Sequence, residues 1–136
     1  MAVFALVDFA MSINSVDLSD HNTKATLHVE ADDLETTPFG TSGWRSRIGG
    51  LKGGTLELEF NQDFAASKVD ATLWAAFGTV VAWTGKATSS ANSATNPQYS
   101  GSVLITEYTP FDNSVGELAK VSVTFPTSGT VSRATS

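Results

Sequence analysis

Hydrophobic and polar residues alternate most cleanly over Lys24-Ala25-Thr26-Leu27-His28-Val29-Glu30-Ala31, with polar residues at even positions and apolar ones at odd positions. A period of two predicts a strand with one buried and one wet face. Gly54 to Asn61 repeats it, with Leu56, Leu58 and Phe60 on the core side and Thr55, Glu57, Glu59 and Asn61 outward. Further strands are predicted over Val80–Thr88, Tyr99–Tyr108 and Leu118–Phe125, with a turn around Phe111-Asp112-Asn113 and a last strand or arm over Gly129–Ser136. One helix is expected at about 67–77: Ser67 is placed as its N-cap, Asp70 completes a capping box, and Gly78 stops it. Its packing residues are then Val69, Leu73, Ala76 and Phe77 on one face, with Trp74 on the shoulder.

Between the first two strands, residues 32–53 hold Thr, Gly, Asp and Pro38 and are expected to form a long loop. It carries Phe39, Trp44, Arg45, Arg47 and Ile48, more anchoring chemistry than a passive connector needs.

Composition sharpens this picture. The 136 residues fit one domain, with neither an internal repeat nor a linker to divide them. Charged residues are only 16%, and 16 Ser and 17 Thr supply the polarity, which favours a mainly β domain. A net charge of −6 argues against phosphate-seeking nucleic-acid binding. There is no Cys, so thiolate metal sites, disulfides and cysteine nucleophiles are ruled out. The apolar run Met1–Val7 lacks a basic leader and meets Asp8 early, so it reads poorly as a signal peptide, and no stretch has the ~20 apolar residues of a membrane span.

Catalytic signals are weak. His21 follows Asp20 and is expected in a turn, because neighbours on a strand would point to opposite faces. His28 falls on a wet strand face. Asp32, Asp33 and Glu35 lack the EF-hand ligand spacing and read as a charged strand exit. Glu57 and Glu59 share one strand, whereas glycosidase carboxylates flank a sugar from two sides. No nucleophile, metal or cofactor motif is present, so neither an enzyme nor a cofactor is expected. Trp74 and Trp83 read as core, while Trp44, between Gly43 and Arg45, is a candidate for contact outside the domain. A β-sandwich carbohydrate-binding or adhesin-like module is therefore one reading. Another is assembly, since the strands carry little of the Lys and Pro that usually blunt exposed sheet edges.

The stretch Glu35-Thr36-Thr37-Pro38-Phe39-Gly40, then Trp44-Arg45-Ser46-Arg47-Ile48-Gly49-Gly50-Leu51-Lys52, and then Asn61-Gln62-Asp63-Phe64 resembles the tail tube (major tail) proteins of long-tailed, siphovirus-type phages, especially of actinobacterial hosts. Ile13–His21 and Val121–Pro126 extend the resemblance over most of the chain. It implies a β-sandwich or partial barrel with one flanking helix, assembled into hexameric rings whose inner strands merge into a barrel and whose stacking makes a tube for DNA. On that analogy Phe39, Trp44, Arg45, Arg47 and Ile48 contact the next ring, and Phe4, Phe9, Val131 and Arg133 belong to terminal arms. Partners would be copies of the chain and tail proteins such as the tape measure and terminator, in a virion assembled in the host cytoplasm. DNA would pass without specific binding. Glu30, Glu57 and Glu59 become candidates for an acidic lumen, suited to a channel that must not hold its cargo.

Overall fold

The computed structural model describes residues 3–136; Met1 and Ala2 lie outside the described residues. Ten elements follow in order: β1 (Ala10–Ile13), β2 (Val16–Asp17), β3 (Asn22–Glu35), a 3-10 turn (Phe39–Thr41), β4 (Arg47–Asn61), α1 (Val69–Ala76), β5 (Val80–Lys86), β6 (Gln98–Leu104), β7 (Lys120–Pro126) and β8 (Ser132–Ala134). They form two antiparallel sheets, β2-β1-β5-β6-β8 and β3-β4-β7. A mainly β domain is what alternation and composition implied, and a β-sandwich with one flanking helix is what the resemblance implied.

Alternation decides which side chains meet between the sheets. Leu56, Leu58 and Phe60 of β4 and Val121, Val123 and Phe125 of β7 turn inward, opposite Met11, Ile13, Val81, Trp83 and Val103 of the other sheet. Each is at least nine-tenths buried, and burying such a side chain contributes roughly 1.5–3 kcal/mol against solvent. The sheets also join at one side, where Thr127 bridges Val103 and the Ser128 amide donates to the Ser102 carbonyl at 2.9 Å.

The helix differs from expectation at both ends. Lys68, not Ser67, precedes its first turn, and Ser67 sits at φ +60°, outside the extended range an N-cap adopts. Gly78 takes the left-handed conformation (φ +82°) that ends the helix, and its amide donates to the Ile105 carbonyl at 2.8 Å. Val69, Thr72, Leu73 and Ala76 face the core. Trp74 and Phe77, expected to pack with them, are 65% and 49% exposed. An eight-residue helix that is apolar on most sides cannot reveal by periodicity which stripe the sheet covers.

The largest difference lies in residues 32–53, expected as a loop. There β3 and β4, of 14 and 15 residues, continue as a hairpin in which Asp33 pairs with Gly49, Leu34 with Ile48 and Glu35 with Arg47. The glycines that suggested a loop have structural work inside a strand. A Cβ on Gly54 would collide with the His28 carbonyl oxygen of the paired strand. At Gly50-Leu51 the strand bulges, two residues opposing Asp32 alone.

Candidate assembly surfaces

The hairpin projects because its third strand stops. β7 pairs β4 only from Asn61 to Thr55, where Pro126 ends the ladder, so the ribbon beyond extends roughly 20–25 Å at ~3.4 Å per residue. Its tip is closed by its own bonds: Thr36 N donates to Ser46 O (2.9 Å), Ser46 N to Thr37 Oγ1 (2.9 Å) and Trp44 N to Thr41 O (3.2 Å). Ser42 and Gly43 supply the left-handed residues that reverse the chain. With the turn held by these bonds, the tip presents side chains. Phe39 is fully exposed, Trp44 is 79% exposed, and Ile48 and Leu34 stand together on one face of the ribbon. Arg47 pairs with Asp33, and Arg45 lies 3.7 Å from Glu35. Asp33 and Glu35 thus pair with the segment's two arginines, and among the described residues no group of three or more His, Cys, Asp or Glu is placed to hold a metal ion.

The outer face of the three-stranded sheet carries the three acidic candidates, with a qualification. Glu57 lies 3.8 Å from Lys24, and Glu59 lies 3.5 Å from Lys120. Glu30 has His28 at 3.7 Å. The face is therefore mixed in charge, because cations from the neighbouring strands β3 and β7 offset two of the glutamates, a pairing that depends on strand register.

Sheet edges form a second surface, open along β3 and partly closed along β7, where the outward amides of Lys120 and Thr124 donate to Asn113 Oδ1 (3.0 Å) and Glu107 Oε1 (3.1 Å). β3 and β7 border the three-stranded sheet, whereas the five-stranded sheet ends in β2 and β8, of two and three residues. Short edges template poorly, and long ones well. Between the β3 edge and β8 runs an open groove of about 790 Å³ with Leu27, Val29, Ala31, Tyr99 and Val131 along it. Arg133 stands opposite Tyr99 in the β6–β8 pairing. At the other terminus Phe9 is half-buried against the core, while Val3, Phe4, Leu6 and Val7 are exposed and outside any strand.

One cluster was missed. His21 lies in the turn expected for it, but a turn, unlike a strand, lets neighbours meet: Nδ1 is 2.7 Å from Asp20 Oδ1, and Nε2 is 2.7 Å from Asp63 Oδ2. Ionised carboxylates only accept, so this geometry favours the imidazolium, in which both ring nitrogens donate. The Asp20 bond foremost, then the Asp63 bond, raises the His21 pKa against the opposing effect of burial. Asp20 is lowered chiefly by His21, and Asp63 chiefly by the Ala65 amide. Lys68 adds a further cation 3.6 Å from Asp20. The cluster ties the β2–β3 turn to the segment leading into α1. Asp20-His21 was visible in the sequence, whereas Asp63 is 42 residues away.

Neither a protein-family model nor a curated protein matches the chain. Two solved structures share its fold. One is a chain from the tail of an empty gene transfer agent particle with C6 symmetry, 16% identical, with a TM-score of 0.67 over 82% of this chain and 81% of that one. The other comes from the virion of a native gene transfer agent particle, 15% identical, with a TM-score of 0.74 over 93% and 95% of the two chains.

Proposed function

We propose that this chain is a structural virion protein, the repeating subunit of a phage-like tail tube of the long-tailed type, in which hexameric rings stack into a conduit for DNA. The observation that carries the reading is the likeness of fold, over most of both chains, to a tail with C6 symmetry. Two features of the molecule support it. The three-stranded sheet is bordered by β3, whose outer edge is open, and by β7, whose outward Lys120 and Thr124 amides donate to Asn113 Oδ1 (3.0 Å) and Glu107 Oε1 (3.1 Å). Pairing one copy's β3 with the next copy's β7 would replace those two side-chain bonds and continue the sheet from subunit to subunit. Six such sheets bring about 18 strands, a size at which closed barrels leave an aqueous channel. The face bearing Glu30, Glu57 and Glu59 would then line the lumen, with Lys24 and Lys120 moderating its charge. The projecting hairpin supplies the second feature, an axial reach carrying Phe39, Trp44, Arg45, Arg47 and Ile48 toward an adjacent ring. No catalytic step belongs to this role.

Electron microscopy of the concentrated protein, with and without other tail proteins, tests it: rings or tubes are expected, and their absence under every condition counts against the reading. The rival, a carbohydrate-binding or adhesin-like module, draws on the exposure of Trp44. Glycan-array binding by strictly monomeric protein, abolished by Trp44→Ala, would favour it.

A further inference from the structure

We infer that the exposed face of α1 is the seat for the hairpin tip of a second copy of this chain, an inference that rests on the tail-tube reading. Trp74 and Phe77 stack at 6.1 Å between centroids and 16° between planes, and Val80 beside them is 53% exposed. Ala71 and Ala75, on the solvent side of the same helix, are exposed as well. This is an uncharged aromatic surface that its own chain leaves open. The hairpin tip, with Phe39 and Trp44, is equally uncovered.

Backbone chemistry matches the two. The tip bonds part of its main chain internally, through the Thr36, Trp44 and Ser46 amides, and a helix face offers no free main-chain groups, so recognition between the two falls to side chains. The apolar segment Val3–Val7 is the opposite case: lying outside any strand, it suits a strand edge rather than a helix face. Charge matches as well. Arg45 follows Trp44 at the tip, and its side chain, 73% exposed, has among the described residues only the long contact to Glu35. Asp70 lies one turn before Trp74, and its Oδ1 accepts from the Tyr108 hydroxyl at 2.7 Å. Oδ2 of Asp70 has no hydrogen-bond partner among the described residues. A copy docked with Trp44 and Phe39 on Trp74 and Phe77 brings Arg45 to that oxygen.

Area sets the stoichiometry. Four aromatic side chains at 150–250 Å² each bury at most roughly 600–1,000 Å², below the ~1,200–2,000 Å² of stable two-body interfaces. One such contact does not hold a free dimer. Because tip and helix are different patches, the contact is heterologous and repeats into rings or stacks, where each further seat forms at high effective concentration.

Gly40 at the tip is open, and the chain has no cysteine of its own, so Gly40→Cys with Ala75→Cys gives a clean cross-linking pair. Oxidised assemblies of the double variant are expected to run as a covalent ladder in denaturing gels, with no ladder from either single variant. Trp74→Ala is expected to raise the concentration needed for tubes about tenfold or more while leaving the melting temperature of the subunit in place. Tubes that form from the double variant without a ladder overturn the seat and leave the tail-tube reading standing. Wild-type protein that never assembles overturns both. Should Trp74→Ala lower the melting temperature, the ladder alone decides.

Discussion

The same two strands, β3 and β4, are body at one end and arm at the other. In the body half, Leu56, Leu58 and Phe60 are buried because β7 continues the sheet and a second sheet lies across it. In the arm half, Val29, Leu34, Ile48 and Leu51 are 48–82% exposed because neither neighbour reaches that far. Strand pairing is thus independent of burial here. Main-chain bonds and cross-strand pairs such as Glu35 with Arg47 keep the ribbon ordered, while its apolar side chains remain available.

Mutations should separate the halves. Phe125→Ala removes a fully buried ring between the sheets and is expected to cost about 3–5 kcal/mol, read as a large loss of melting temperature with loss of assembly as its consequence. Trp44→Ala at the arm tip should shift stability by no more than ~0.5 kcal/mol and weaken assembly by about 2 kcal/mol or more per seat. A Trp44→Ala variant that melts early but still makes full-length tubes would erase the distinction between body and arm.

Sequence reasoning reached the body more fully than the arm, for physical reasons. Alternation over Lys24–Ala31 and Gly54–Asn61 reports a buried face, and that face exists wherever a second sheet covers the strand. Beyond Ala31 the cover ends and the pattern breaks: Asp32 and Asp33 follow, and Gly49, Gly50, Gly53 and Gly54 depress strand propensity. Gly54 is needed because the His28 carbonyl approaches it, a contact visible only once the two strands are paired. Trp83 was legible as core from its place beside Val81, and it is 2% exposed. Trp74 was not, since whether a helical Trp meets a sheet or solvent depends on how the helix is rolled onto its support. Phe39 and Trp44 stood out as anchoring residues in the sequence, and both are uncovered in the subunit.

A smaller effect concerns the body's charged cluster. The folded pKa of His21 is raised, so its stabilisation is complete below the unfolded value of ~6.5 and fades as pH climbs through the folded value. The folded pKa values of Asp20 and Asp63 are lowered, so their share is present above ~3.9 and disappears as pH falls through the folded values. The cluster therefore contributes most between about pH 4 and 6.5. Melting curves should show His21→Ala costing more stability at pH 5 than at pH 8, whereas the pH dependence of Trp44→Ala should parallel the wild type. A His21→Ala penalty that is flat across this range would show that the imidazolium bonds add nothing.

β3 carries unmatched main-chain groups along its outer edge, and the central claim is that copies of the chain complete them. Hydrogen exchange on subunit and assembled tube, compared amide by amide, tests it most directly. The outer-edge amides of β3 are predicted to exchange fast in the subunit and to become protected in the tube, while those of β4 from Thr55 to Asn61, already paired on both sides, change little. Edge amides that exchange at the same rate in both forms would contradict it.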